Sequence, residues 1–185
     1  MLRVICSSVL LSFVLCTQGY ADEHFPFLAQ VNKESVNVRA GANINFEVLA
    51  KLSRGAEVVV LGKNFDWYKV QLPTTAKAYI RADYLKLHED SFGELNGDKV
   101  NIRARANSDS SSLGQLNKGD YVKVIRQIND WWQIEPPAQA AGWIHKDFLS
   151  FKGPVGAITN RPYAKPSISL ISAVLRGRSV YACGG

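Results

Sequence analysis

The stretch VNVRAGAN at residues 36–43 recurs as VNIRARAN at residues 100–107, an offset of 64 positions. The same offset, without a gap, aligns a further set of glycines, apolar residues and Asp-Trp pairs: Leu49 with Leu113, Gly55 with Gly119, Asp66-Trp67 with Asp130-Trp131, Ile80 with Ile144, and Leu85 with Leu149. Self-similarity at a fixed offset is the sequence mark of repeated structural units. The chain is therefore predicted to contain one small fold twice, over residues 28–86 and 92–150.

Apolar residues inside each repeat alternate with other residues. Val58 and Val60 have the period of a strand with one buried side. The second repeat replaces the intervening Val59 by Lys123, so this side is predicted to face water. Gly55 and its counterpart mark turns. Several short strands and turns in so small a unit predict an all-β protein of two tandem small β-barrels.

The motifs that the two repeats share also occur in a fixed order. The second repeat is the fuller example, with DWWQI at residues 130–134 and GWIHKDFL at 142–149, while the first has Ala-Tyr at 78–79 in place of Gly-Trp. In this order the motifs resemble the bacterial SH3-like (SH3b) domain family. The resemblance implies two tandem SH3-like β-barrels and a role as an exported binding or targeting module, commonly for peptidoglycan and often beside a cell-wall hydrolase.

On this resemblance we expect a non-catalytic module that attaches to peptidoglycan or cell-wall peptides, with no cofactor. Two alternatives stay open, because a fold does not determine a function. One is a scaffold for protein–protein interaction with another exported protein, and the other is an accessory regulator of a separate cell-wall hydrolase.

Catalysis is not expected from the residues themselves. His24, His88 and His145 are the only histidines, and none has a plausible nucleophile beside it in the sequence. Cys183 lies close to the end of the sequence, where no following segment supplies a base or an oxyanion hole. A Cys/His metal site is not expected either, because the ligands are too few.

The N-terminus has the layout of a secretory signal peptide. A positive start at residues 1–3 precedes an apolar run at 4–16, and small residues lead to a predicted cleavage after Ala21. Residues 1–21 are therefore predicted to be removed on export to the periplasm, the cell envelope or the exterior. A retained N-terminal anchor is the alternative. After cleavage Cys183 would be the single cysteine, so no internal disulfide is expected.

The formal net charge of +6 is confined to the two ends of the chain. Residues 22–149 contain sixteen basic and sixteen acidic residues, whereas residues 151–185 contain five basic residues and no acidic one. This distribution argues against nucleic-acid binding by the repeats. The basic tail, 151–185, is predicted to be partly disordered or a short amphipathic helix over 167–178, for which a contact with an anionic membrane is one interpretation.

Strand parity divides the aromatic residues between core and surface. Val70 shares its side of the strand with Tyr68, so Trp67 points to the opposite side. The same argument places Trp131 away from Ile134.

Aromatic and arginine side chains on the outward side are the ligand-binding candidates. They form one predicted groove on each barrel: Trp67, Tyr79 and Arg39 on the first, and Trp131, Trp143 and Arg103 on the second. Aromatic rings offer a large contact area with few rotamers, and arginine pairs with carboxylates. Two other interpretations stay open: each tryptophan caps an open end of a core, and each arginine braces a turn.

Overall fold

A computed structural model describes residues 24–88 and 91–155. The predicted signal peptide, 1–21, and nearly all of the predicted basic tail lie outside these residues. Within them, no helix has the length and apolar character needed to cross a membrane.

The described chain consists of short strands, which confirms the all-β prediction. The strands of the first repeat are β1 (Phe27–Val31), β2 (Val36–Arg39), β3 (Val48–Leu52), β4 (Glu57–Asn64), β5 (Trp67–Gln71), β6 (Ala78–Arg81) and β7 (Leu85–Leu87). Those of the second are β8 (Phe92–Leu95), β9 (Val100–Arg103), β10 (Ser112–Leu116), β11 (Tyr121–Ile128), β12 (Trp131–Ile134), β13 (Ala141–His145) and β14 (Leu149–Pro154). Short 3-10 helices, Ala82–Tyr84 and Lys146–Phe148, separate the last two strands of each repeat.

The strands form two antiparallel sheets, and each sheet takes strands from both repeats. Sheet one has the order β14-β1-β4-β5-β13-β2-β3, and sheet two has the order β10-β9-β6-β12-β11-β8-β7. The last two strands of each repeat, β6 and β7 or β13 and β14, thus lie in the sheet that the other repeat begins. The ranges 28–86 and 92–150 delimit the sequence repeats, whereas the sheets are composites of the two.

The exchange of strands is reciprocal. Trp67 of β5 lies opposite His145 of β13, and Trp131 of β12 lies opposite Arg81 of β6, each shifted by the repeat offset. Backbone bonds repeat the symmetry: the amide of Ala82 donates to the Asp130 carbonyl at 2.8 Å, and the equivalent amide in the second repeat donates to the equivalent carbonyl, also at 2.8 Å. Each repeat therefore makes the same contacts with the last two strands of the other repeat.

Sheet two is built from one uninterrupted piece of chain, from β6 to β12, while sheet one combines the two ends of the described chain. β1 and β14 pair antiparallel, with Leu28 opposite Gly153. In the sequence, all strands of sheet two thus lie between β5 and β13, which are neighbouring strands of sheet one. The consequence is that sheet one cannot be completed until the second repeat has reached β13.

Period-two alternation produces the core, as the sequence predicts. Val38 and Val70 of sheet one and Ile80 and Ile134 of sheet two are completely buried. Each such side chain contributes roughly 1.5–3 kcal/mol by leaving water. The buried apolar residues of both sheets form one contiguous cluster, so the strand exchange also joins the two cores.

Equivalent positions of the two repeats meet at Glu47 and Ser111. The Ser111 hydroxyl donates to Glu47 Oε2 at 2.8 Å, and the Ser111 backbone amide donates to Oε1 at 3.3 Å. Burial acts to raise the pKa of Glu47, but hydrogen bonds from its own backbone and from Ser111, together with the charge of Arg105, outweigh burial and lower that pKa. The ionised carboxylate is therefore the form that holds the two repeats together here.

We expect Glu47→Gln to lower the free energy of unfolding by about 1 kcal/mol at neutral pH, because it removes a charge-assisted hydrogen bond. The lowered pKa means that this contribution is present above the ordinary carboxyl pKa of about 4.3 and is lost as the pH falls through the folded-state pKa. Urea unfolding at pH 7 and at about pH 3 checks this. A wild-type advantage of equal size at both pH values would contradict the role of the carboxylate.

Candidate functional site

The six predicted site residues all lie in strands of the two sheets. They are Arg39 in β2, Trp67 in β5, Tyr79 in β6, Arg103 in β9, Trp131 in β12 and Trp143 in β13. Because β6 and β13 are the exchanged strands, the structure groups these residues differently from the sequence repeats.

On sheet one the exchanged strand β13 lies between β5 and β2. Trp143 is the register partner of Arg39 on one side and of Lys69 on the other, and His145 is the partner of Trp67. Residues directly opposite each other in antiparallel strands point to the same side of the sheet. We call these five residues, Arg39, Trp67, Lys69, Trp143 and His145, the first face.

Sheet two has the equivalent arrangement around β6. Tyr79 is the register partner of Arg103 on one side and of Gln133 on the other, and Arg81 is the partner of Trp131. We call these five residues, Tyr79, Arg81, Arg103, Trp131 and Gln133, the second face.

The aromatic pairs on the faces are not the pairs expected from the repeats. The expected grooves combine Trp67 with Tyr79 and Trp131 with Trp143, whereas the structure combines Trp67 with Trp143 and Trp131 with Tyr79. The physical reason is the strand exchange, which moves the second ring of each pair to the other sheet. Each face is therefore a composite of both repeats.

Burial separates the four rings. Trp67, Trp131 and Trp143 are half-buried, so each presents part of its ring to solvent. Tyr79 is only 7% exposed, which leaves it a small share of the surface of the second face. On the first face the Trp67 ring meets the His145 ring edge-on, with centroids 5.5 Å apart. Such contacts hold an indole in one orientation, which favours it as a fixed ligand platform.

The two arginines brace loops, in agreement with the second interpretation given for them above. Arg39 Nη1 donates to the carbonyl of Phe46 at 2.9 Å, and Arg103 Nη1 donates to the carbonyl of Ser110 at 2.8 Å. In both cases the acceptor lies seven residues further along the chain. A guanidinium has five N–H donors, so one bond to a loop fixes the side chain and leaves donors for a ligand.

A family model described as "Bacterial SH3 domain" matches the chain twice, over residues 34–86 and 98–150. The chain belongs to the bacterial SH3 domain family. The two matched ranges begin just before β2 and β9 and end within β7 and β14, so each bacterial SH3 domain of the sequence contributes strands to both sheets.

One relative of these domains is a protein of Bacillus subtilis (strain 168) that is named for an N-acetylmuramoyl-L-alanine amidase activity. The two proteins are 24% identical over 130 residues, which cover 62% of this chain. The chain spans only 25% of the length of that relative.

The faces of the bacterial SH3 domains also contain residues outside the predicted set. Lys69 lies two positions after Trp67, and Gln133 lies two positions after Trp131. Each therefore points to the same side of its strand as the tryptophan, and strand parity could have identified it. Parity also places His145 on the side of Trp143 and Arg81 on the side of Tyr79, but their position beside Trp67 and Trp131 depends on the exchange and could not be predicted in this way.

Charged groups close one end of the first face. Lys146 Nζ lies 2.7 Å from Asp66 Oδ1, and this hydrogen bond and charge lower the pKa of the Asp66 carboxyl. His145 Nδ1 lies 3.5 Å from Asp147 Oδ2. Over residues 24–88 and 91–155, no group of three or more His, Cys, Asp or Glu side chains is placed to hold a metal ion.

Proposed function

We propose that this protein is an exported, non-catalytic binding module that attaches to peptidoglycan or cell-wall peptides in the envelope. The observation that carries the proposal is the composite face, on which a half-buried tryptophan lies beside a second aromatic ring and an arginine fixed by its loop. Because this combination occurs once on each sheet, it is a feature of the fold and not an isolated surface ring.

A sheet face of this kind suits an extended or sugar-bearing ligand. The rings stand on neighbouring strands, about 4.8 Å apart, and their positions are fixed by the backbone ladder. Indole faces accept C–H groups of sugars and apolar side chains with little loss of rotamer entropy. Arginine supplies the directed donors that a carboxylate or an amide carbonyl accepts.

The comparisons support this choice of ligand. The bacterial SH3 domain family is a family of binding domains, and the name of the Bacillus subtilis relative refers to a bond between muramic acid and alanine. That bond belongs to peptidoglycan. The predicted signal peptide supports a location in the periplasm, the envelope or the exterior, where this ligand occurs.

The surroundings of His145 support a non-catalytic role. His145 contacts the rings of Trp67 and Phe148, with the carboxylate of Asp147 at its Nδ1. These neighbours supply stacking and a charge, and none of them is a hydroxyl or thiol nucleophile.

We expect the mature protein to sediment with purified sacculi. The double variant Trp131→Ala/Trp143→Ala removes one ring from each face, and we expect it to bind at least about tenfold more weakly. Phe151→Ala is the matched control, because Phe151 is 69% exposed on β14, at the edge of sheet one. Circular dichroism establishes that the variants are folded.

Absence of sacculus binding by the wild-type protein at low salt would reject the proposal. Crosslinking to one dominant exported protein, without sacculus binding, would favour the scaffold alternative instead.

A further inference from the structure

The two faces occupy equivalent positions but differ in chemistry. The strands of the first face differ from those of the second at several positions on the outward side, among them Val48 for Ser112, Lys51 for Gln115, Lys69 for Gln133, Trp143 for Tyr79, and His145 for Arg81. The strand pairing is the same on both sheets, so the side chains decide what each face offers to a ligand.

Polar groups on and beside the second face already have hydrogen-bond partners. Asn101 Oδ1 accepts hydrogen bonds from Gln115 Nε2 at 3.0 Å and from Ser112 Oγ at 3.3 Å. Gln133 Oε1 accepts a hydrogen bond from Arg126 Nε at 2.8 Å. A ligand that approached these amides would have to replace bonds that already exist, and it would gain little.

Two further residues of the second face offer little to a ligand. Arg81 Nε lies 2.7 Å from Asp83 Oδ2, so this cation already has its carboxylate. Tyr79, the ring at the centre of the face, is 93% buried. The second face thus keeps the half-buried Trp131, but its central ring is covered, and Gln133 and Arg81 are already engaged.

The first face keeps unmade interactions. Lys69 and Lys51 are exposed, and in the part of the chain that the structure describes neither has a carboxylate within salt-bridge distance. Asn37 occupies the position of Asn101, but its Oδ1 is buried and lacks a hydrogen-bond partner among the described residues. The reason is that lysine and valine replace the Gln115 and Ser112 donors. An unpaired buried polar atom costs roughly 1–3 kcal/mol.

Three acidic residues of the first repeat already have partners outside the central row of the first face. Glu57 Oε1 is 3.1 Å from Lys152 Nζ, Asp66 is bound to Lys146, and Glu47 is bound to Ser111. The carboxylate of Asp147 lies at the His145 end of the face. The central row, Arg39–Trp143–Lys69, is therefore an indole with a cation on each side. The two cations stand on strands about 10 Å apart, which is two strand spacings.

We propose that ligand binding is confined to the first face, and that Lys69, with Arg39 opposite, makes this face require a carboxylate beside the group that packs on Trp143. The ligand is then a carboxylate-bearing peptide, bound once per chain. This inference rests on the proposed function, because it assigns that function to one of the two faces. Lys69 is the specificity-determining residue. Gln133 occupies the equivalent position on the second face, which does not bind the ligand.

The test is isothermal titration of the folded protein with soluble muropeptides and with the same muropeptides after amidation of their carboxyl groups. We expect one site per chain in the wild type, and about tenfold weaker binding after amidation, which is the loss of one charge-assisted hydrogen bond. Lys69→Gln, which copies the second face, should weaken binding of the unmodified muropeptides by about the same factor. In this variant amidation should have little further effect.

Lys118→Gln is the matched control, since it removes the same charge from an exposed turn of the second repeat. Equal losses in Lys118→Gln and Lys69→Gln would overturn the inference, as would two equal sites per chain or binding that amidation does not change. In those cases the wild-type protein still binds muropeptides, so the proposed function stands. Failure of the wild type to bind either muropeptide would overturn the proposed function itself.

Discussion

Replacement of Gly142 by valine is expected to lower the free energy of unfolding by about 3 kcal/mol, because the site has no room for a side chain. A Cβ at this buried position of β13 would lie 2.6 Å from Val38 Cγ1 and 2.8 Å from Leu72 Cδ2. The Arg39 carbonyl oxygen is 3.2 Å away on the backbone side. All three neighbours belong to the first repeat, so the clash is a direct consequence of the strand exchange.

The equivalent position in sheet two provides the control. Ala78 is completely buried in β6 and accommodates its methyl group. We expect Ala78→Gly to cost only about 1 kcal/mol, from the lost methyl burial and the added chain entropy. The contrast between the two sites distinguishes close packing at Gly142 from a general intolerance of these central strands.

A double-mutant cycle makes the result specific for the exchange. Val38→Ala removes the atom that a Cβ at position 142 would meet, so Val38→Ala and Gly142→Ala should be less destabilising together than the sum of the two, by about 1 kcal/mol. Ile102 takes the place of Val38 in the second repeat, and Ile102→Ala should be additive with Gly142→Ala. Denaturant unfolding of the wild type, the three single variants and the two double variants gives both coupling energies. Coupling to Ile102 in place of Val38 would show that β13 returns to its own repeat.

The second large effect is expected from an engineered disulfide between the repeats. Gln71 of β5 is the register partner of Ala141 of β13. Opposite residues in antiparallel strands have Cα atoms about 4.5–5.5 Å apart, within the range that a disulfide bridges. In a Cys183→Ser background, Gln71→Cys/Ala141→Cys should oxidise within one chain almost completely. It should raise the free energy of unfolding by about 4 kcal/mol, because the bridge closes a long loop of the unfolded chain.

The matched pair is Glu135→Cys/Ala141→Cys, since Glu135 stands at the position of Gln71 in the second repeat. This pair should remain reduced, because the exchange carries Ala141 to sheet one while Glu135 follows directly after β12 of sheet two. Thiol titration and non-reducing mass spectrometry distinguish the two bridges. Oxidation of the Glu135 pair with a free Gln71 pair would mean that each repeat closes on itself.

The strands and their buried sides were predictable from the sequence, because both depend on local periodicity. Val70 and Ile80 are buried where parity places them, and Tyr68 packs against the core while Trp67 faces outward. The duplication strengthened each of these inferences, because a position that stays apolar in both repeats has the same burial requirement twice.

The grouping of the site residues was not predictable from the same information. Ile80 and Ile144 are both completely buried, and either residue satisfies the core requirement of either sheet. A local pattern therefore specifies that a last strand pairs with its neighbours, but it does not specify to which repeat those neighbours belong. As a result, Trp143 was expected beside Trp131, and the structure places it beside Arg39 and Lys69.

The sequence by itself determined two copies of an all-β unit, the inward and outward side of each strand, and the residue types available for binding. The tertiary structure decided which copy completes which sheet, and thus that Lys69 flanks Trp143 while Gln133 flanks Tyr79. The physical reason is that periodicity is a property of neighbouring residues, whereas strand exchange depends on the path of the chain through residues 72–77 and on side-chain fit at positions such as Gly142.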